Sequence, residues 1–351
     1  MTQVEIHYEP VLSGGRAGPY LGVETTLSFS SPMQELESLH SGCAVFQLNW
    51  RALIGVTGKD RVRWLHNMVT NTVRDLAVNR GAYNFVLNAQ GRILGDLCVF
   101  NRGESLLLET DRIQVETLLA TLRRFIIMDK VELADLGNEF TALGVAGPKA
   151  TEMLRSAGID VSGLQPLEIQ DPTIAGASLR VIRGAEQKPD WFELWTDAAH
   201  ATSIAGSLTK AGAHPVGAEA LEIWRILHGI PQYGKDIRDR DLPQETGQMQ
   251  ALSFTKGCYI GQEIVERIRS RGQVHRKFTG FESCEGALAM GKFEAAGRAF
   301  AEVTSAVRVP SQAGEREIGL GYVRVDAVPE NRVLDLNGIK AKLVDSPFQT
   351  A

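Results

Sequence analysis

Residues Ile54–Leu65 and Leu143–Leu154 align without a gap, and each reads as a short apolar strand, a glycine turn and an amphipathic helix. A repeat of this kind predicts that the same supersecondary unit opens two successive domains. In the second copy Pro148 falls in the first helical turn, where its missing N–H costs nothing, and Gly147 supplies the turn before it. Neither copy has the spacing of a nucleotide-phosphate loop, so the glycines serve chain reversal.

The segments C-terminal to each copy agree with a domain-opening role. After the first come strands over Ala82–Leu87, Arg92–Phe100 and Leu106–Glu109, with turns at Asn88–Gly91 and near Gly103, and the pattern reads as a meander. Asp111 with Gln114 resembles a capping box, and Leu118, Leu119, Leu122 and Phe125 then recur at helical spacing. The second copy leads to strands over Leu179–Ile182 and Trp191–Thr196, then helices over Thr202–Ala211 and Ala218–His228, the latter stopped by Gly229 and Pro231. From His275 onward, short strands such as Lys277–Phe281 and Ile318–Val325 alternate with glycine turns, which predicts a small β-barrel. The expected fold class is therefore α+β: two related domains of antiparallel sheet backed by helices, plus a C-terminal barrel. The boundaries are a weakly ordered arm over 1–32, domains over 33–139 and 140–235, a connecting segment over 236–274, and the barrel over 275–351.

A net charge of −5 argues against a general nucleic-acid-binding surface. One segment runs the other way: Lys256, Arg267, Arg269, Arg271, Arg276 and Lys277 face only Glu263 and Glu266. That makes it either a solvated helix face or an anion site. Cys43, Cys98, Cys258 and Cys284 are widely spaced, which fits a reducing, cytoplasmic setting better than a disulfide framework. No charged-then-apolar leader opens the chain and no apolar run approaches the roughly 20 residues that cross a bilayer, so no membrane partner is expected.

Four places carry candidate chemistry. Lys256-Gly257-Cys258-Tyr259-Ile260-Gly261-Gln262-Glu263 sets one thiol between two glycines, beside a lysine and just before a basic helix, a setting that favours a reactive thiolate or a soft metal ligand. Asp96 lies in a strand that is apolar on both faces, where a carboxylate needs a partner or a raised pKa. Glu193 shares a strand face with Trp191 and Trp195, so one acceptor stands between two flat aromatic walls. Arg225 lies on the helix stripe of Leu221, Trp224 and His228, with Glu222 as its nearest local partner. His66, His228 and His275 show no metal-ligand or triad spacing and read as polar or packing residues.

The octapeptide resembles the signature of the YgfZ-like folate-binding proteins, relatives of the glycine-cleavage T-protein (aminomethyltransferase), and the resemblance runs from about Met33 to the C-terminus. It implies that the three parts surround a central folate pocket. It also implies tetrahydrofolate, or a one-carbon derivative, as cofactor, with Tyr83, Asp96, Glu193 and Arg225 as binding residues. Tyr83 and Asp96 match a tyrosine and the second of two adjacent aspartates, the first being replaced here by Gly95. Glu193 matches the pterin-binding glutamate, although Asp190-Trp191 precede its aromatic-Glu pair. Arg225 matches the arginine of a folate-contacting run in which His228 replaces a small residue. In the YgfZ-like type the implied role is support of iron–sulfur cluster assembly or repair, and through it tRNA modification. Cys258 would then be a transfer ligand to a transient iron–sulfur cluster shared with a carrier or client protein, since one thiolate cannot fill a four-cysteine ligand set. The alternative is a folate-dependent aminomethyltransferase or demethylase using Asp96 as its catalytic residue.

Overall fold

The computed structural model describes residues 10–174, 177–185, 190–272, 274–283, 285–311, 314–345 and 347–348. The expected unit is present in both copies. Strand Arg51–Thr57 turns at Gly58 into helix Arg61–His66, and strand Thr141–Ala146 turns at Gly147 into helix Ala150–Ser156. The first copy belongs to a five-stranded sheet ordered Gly81–Leu87, Ile93–Asn101, Leu106–Asp111, Arg51–Thr57 and Glu132–Asp135. The second belongs to a six-stranded sheet in which Trp191–Thr196 lies between Arg180–Arg183 and Thr141–Ala146, both antiparallel to it. Period-two alternation decides what each strand buries. Phe192 and Leu194 enter a core with Val145, Leu154, Ala205 and Leu208, drawn from the neighbouring strand and from helices Ala150–Ser156 and Ala198–Ala211. Trp191, Glu193 and Trp195 therefore take the other face.

The chain forms two compact units, one of Met1–His66, Thr72–Asn84 and Leu97–Leu221, the other of Asn67–Asn71, Phe85–Asp96 and Glu222–Ala351. In the second unit the C-terminal strands form an antiparallel six-stranded sheet around Phe281, Val303, Val323 and Leu343. Its order begins at Gly291–Ala295 and ends at Val333–Leu336, so the small β-barrel expected from sequence is a half-barrel sheet. Two further local expectations change. Residues Arg16–Tyr20 and Val23–Ser28 pair as a hairpin within the stretch read as a weakly ordered arm, and Thr25 and Thr26 are buried there. Asp111 stands at the N-cap of helix Arg112–Arg123 but makes no side-chain cap, because its carboxylate accepts from Arg51 Nη1 at 2.5 Å. A charged donor outcompetes a backbone amide for that oxygen. Among the described residues no helix is long and apolar enough to cross a membrane.

Candidate functional site

In the first unit Glu193 is buried, with 8% of its surface open. Its Oε2 accepts a hydrogen bond from the indole of Trp195 at 3.0 Å, and Trp191 supplies a second. Burial pushes the carboxyl up, against the opposing pull of Arg51 and of the two indoles. Trp195, only 1% exposed, is thus a donor to the carboxylate and not the stacking wall that strand alternation suggested. Trp191 is half-buried and packs on Phe46 with ring centroids 4.9 Å apart. A flat ring bearing an amino-imino edge fits these residues: Glu193 for its donors, Trp191 for its face. Tyr83 is half-buried on strand Gly81–Leu87.

Sequence reasoning missed what surrounds Glu193. Arg51 pairs with both Glu109 and Asp111, buried on the adjacent strand, and lies in the field of Glu193. Burial works against the guanidinium charge, but Asp111 and Glu193 more than restore it. One cation thus serves three buried carboxylates. The available signal was Glu109 and Asp111 at alternate positions of a strand that begins Leu106-Leu107-Leu108, so one face carries two acids.

In the second unit Asp96 is half-buried, on the same alternate set as Leu94, while Ile93 and Gly95 are sealed. Beside it Tyr233 donates to the Leu94 carbonyl at 2.9 Å, and burial, followed by the charge of Asp96, pushes the Tyr233 phenol up to about 12. The charge of Asp96 thus reaches a phenol whose proton is engaged by the Leu94 carbonyl. Tyr233 belongs to a loop whose Asp236 is fully buried and accepts from Arg225 Nη1 at 2.7 Å and from the Gln232 amide at 3.0 Å. Arg225 uses all five of its donors within this unit: Nε and Nη2 fork onto Glu222 at 2.7 and 2.6 Å, Nη1 also reaches the Ile230 carbonyl, and Nη2 also reaches Ser305. Its partners fix the loop that carries Tyr233.

The octapeptide has a structural part and an exposed part. Lys256 donates to the carbonyls of Val69 and Asn71 at 2.5 and 2.9 Å and lies over the Tyr259 ring, so its ammonium is an anchor. Gly261 caps helix Gln262–Arg271 at φ +84°, and a Cβ there would stand 2.6 Å from the Asn88 carbonyl oxygen. The motif thus clasps the turn that leads into the strand of Asp96. Gly261→Ala should destabilise the protein by about 1–3 kcal/mol in chemical denaturation, since both the positive φ and the contact penalise a side chain. Cys258 lies four residues before the helix begins and is exposed. Cys43, by contrast, is buried and its thiol is pushed up to about 12. Cys284 lies outside the described residues. The histidines serve as packing or polar groups where their contacts are defined: His66 Nδ1 accepts from the amides of Val73 and Arg74, and His228 stacks on Trp224.

A family model described as the GCVT N-terminal domain matches residues 7–256. A protein of Geobacillus kaustophilus named aminomethyltransferase is 28% identical over 349 residues, covering 95% of this chain and 95% of its own. An aminomethyltransferase of Rubrobacter xylanophilus is 28% identical over 354 residues, covering 99% and 94%. The crystal structure of glycine cleavage system aminomethyltransferase T from Bartonella henselae shares the fold, with a TM-score of 0.85 at 22% identity over 96% of this chain and 95% of that one.

Proposed function

Because the chain belongs to the GCVT N-terminal domain family, whose model spans residues 7–256, we propose that it binds tetrahydrofolate and transfers a one-carbon unit as an aminomethyltransferase or demethylase. The observation that carries this reading is Glu193, a buried carboxylate held by two indoles, of which that of Trp191 is half-buried. Bound tetrahydrofolate would supply the nitrogens that accept the one-carbon unit. The chain's part is to bind, orient and move protons. Glu193 accepts from the donor edge of the pteridine, Trp191 covers its face, and Tyr83 contributes a further polar contact. Asp96 orients the departing amine and gives it a proton. Arg225 has its donors engaged in the loop of Tyr233, so its role is positioning: it holds that loop against the strand of Asp96.

Glu193→Ala should weaken tetrahydrofolate binding by about 1–3 kcal/mol, the cost of leaving ligand donors unpaired in a buried site. Calorimetry reads the change, and an unaltered affinity would remove Glu193 from the pocket.

A second reading, support of iron–sulfur cluster assembly or repair in the manner of the YgfZ-like proteins, is favoured by one observation, the exposure of Cys258. Among the described residues no group of three or more His, Cys, Asp or Glu is arranged to hold a metal ion, so the cluster would be cargo shared with a carrier or client. Cys258→Ala should then abolish rescue of a cluster-maintenance defect while leaving tetrahydrofolate affinity within about twofold. Full rescue by the variant would eliminate this reading and leave the transferase untouched.

A further inference from the structure

The second unit contains an open cleft of about 680 Å³. Arg92, Arg240, His275, Arg276, Lys292 and Arg324 line it. Against these cations stand two lining carboxylates, Glu245 and Glu302. Both are already engaged. Glu302 accepts a fork from Arg238 at 2.8 and 3.0 Å and a third bond from Arg240 at 3.1 Å, with Arg276 at 3.7 Å. Arg276 reaches Glu245 at 3.0 Å and the fully buried Asp241 at 2.5 Å, and stacks over the Tyr322 ring at 4.5 Å. Arg238 lies over the same ring at 5.6 Å. Although burial opposes it, the Arg238 pair holds the Glu302 carboxyl below its ordinary range. The carboxylates thus form a floor that fixes two guanidinium groups in place.

The rim differs from the floor. Arg240 is 51% exposed and spends a single Nη2 contact on Glu302. Among the described residues Arg92 gives Nη1 alone, to the Arg240 carbonyl. Lys292 and His275 are exposed and make no ion pair among the described residues. Arg324 is spent on Asp326 at 2.9 and 2.7 Å, but the guanidinium groups of Arg240 and Arg92 and the Lys292 ammonium keep donors to spare at a cleft larger than a single inorganic ion. Guanidinium forks match the paired oxygens of phosphate groups, and Lys adds a mobile point charge.

We propose that this cleft binds a ligand carrying clustered phosphate oxyanions, of the pyrophosphate class, with Arg240, Lys292 and Arg92 as its contacts. The site does not depend on the folate reading, since Glu193 takes no part in it. Two sources share this chemistry: a free diphosphate-bearing molecule and the phosphodiester backbone of a single strand.

The test is calorimetry on the full chain with inorganic pyrophosphate, with inorganic phosphate, and with a short oligouridylate. The same titrations are repeated on the double variant Arg240→Gln, Lys292→Gln. Both side chains are exposed, and thermal unfolding checks that the fold survives; if it does not, Lys292→Gln alone is used. Pyrophosphate should bind saturably, about tenfold tighter than inorganic phosphate, and the variant should lose about tenfold in affinity. Tighter binding of oligouridylate, displaced by pyrophosphate, weakened in the variant and falling steeply with salt, supports the same site with a polymer as its source. Absence of saturable binding by either probe, or equal affinity in wild type and variant, overturns the proposal.

Discussion

Replacing Arg225 with Met should destabilise the protein by about 3–5 kcal/mol, because removing one member of a buried ion cluster leaves the others charged and unpaired. Arg225 is 5% exposed and Asp236 fully buried, so neither carboxylate partner of the lost guanidinium can fully recover its hydration. The pH dependence should change with it. Burial alone would raise the Glu222 carboxyl, but Arg225, followed by Lys235, holds it down at about 2. A folded pKa below the unfolded value contributes stability that is complete above the unfolded pKa, near 4.5, and lost as pH falls toward 2. That contribution is roughly 3 kcal/mol in the wild type and should shrink sharply in Arg225→Met. Urea denaturation at pH 7 and pH 3 measures both. A loss below about 1 kcal/mol at pH 7, or an unchanged acid limb, would show that the cluster is not what holds the loop of Tyr233.

Asp96→Asn should lower the rate of aminomethyl transfer by about 10²–10⁴-fold while tetrahydrofolate affinity stays nearly constant. Asparagine keeps the shape and one acceptor oxygen but carries no transferable carboxyl proton. Asp96 is half-buried, and its charge, after burial, raises the nearby Tyr233 phenol, whose proton is engaged by the Leu94 carbonyl. Single-turnover kinetics separates the chemical step from binding. An undiminished rate would end the catalytic assignment of Asp96. Equal losses of rate and affinity would instead make it a binding group.

The elements legible from sequence are those governed by neighbours along the chain. The duplicated strand-turn-helix unit, the meander from Ala82, the helix before Gly229 and the alternation that groups Trp191, Glu193 and Trp195 all depend on periods of two or about 3.6 and on turn residues. Where the local reading failed, a distant partner intervened. Asp111 was expected to cap a helix and instead binds Arg51, 60 residues away. Lys256 was expected to polarise a thiol and instead bonds the carbonyl of Val69, 187 residues away.

The amino-acid order by itself determined the α+β elements, the repeat and the positions of Asp96, Glu193, Arg225 and Cys258, because backbone sterics, hydrophobic period and turn chemistry act over a few residues. Tertiary structure decided which distant charges meet. Arg51 among Glu109, Asp111 and Glu193, the contact of Arg225 with Ser305, and the arginines gathered on Glu302 are pairings between segments far apart in the chain, whereas the fork of Arg225 on Glu222 is local and was legible from spacing. Coulomb energy and desolvation depend on separation in space and on burial, and neither is encoded in local spacing.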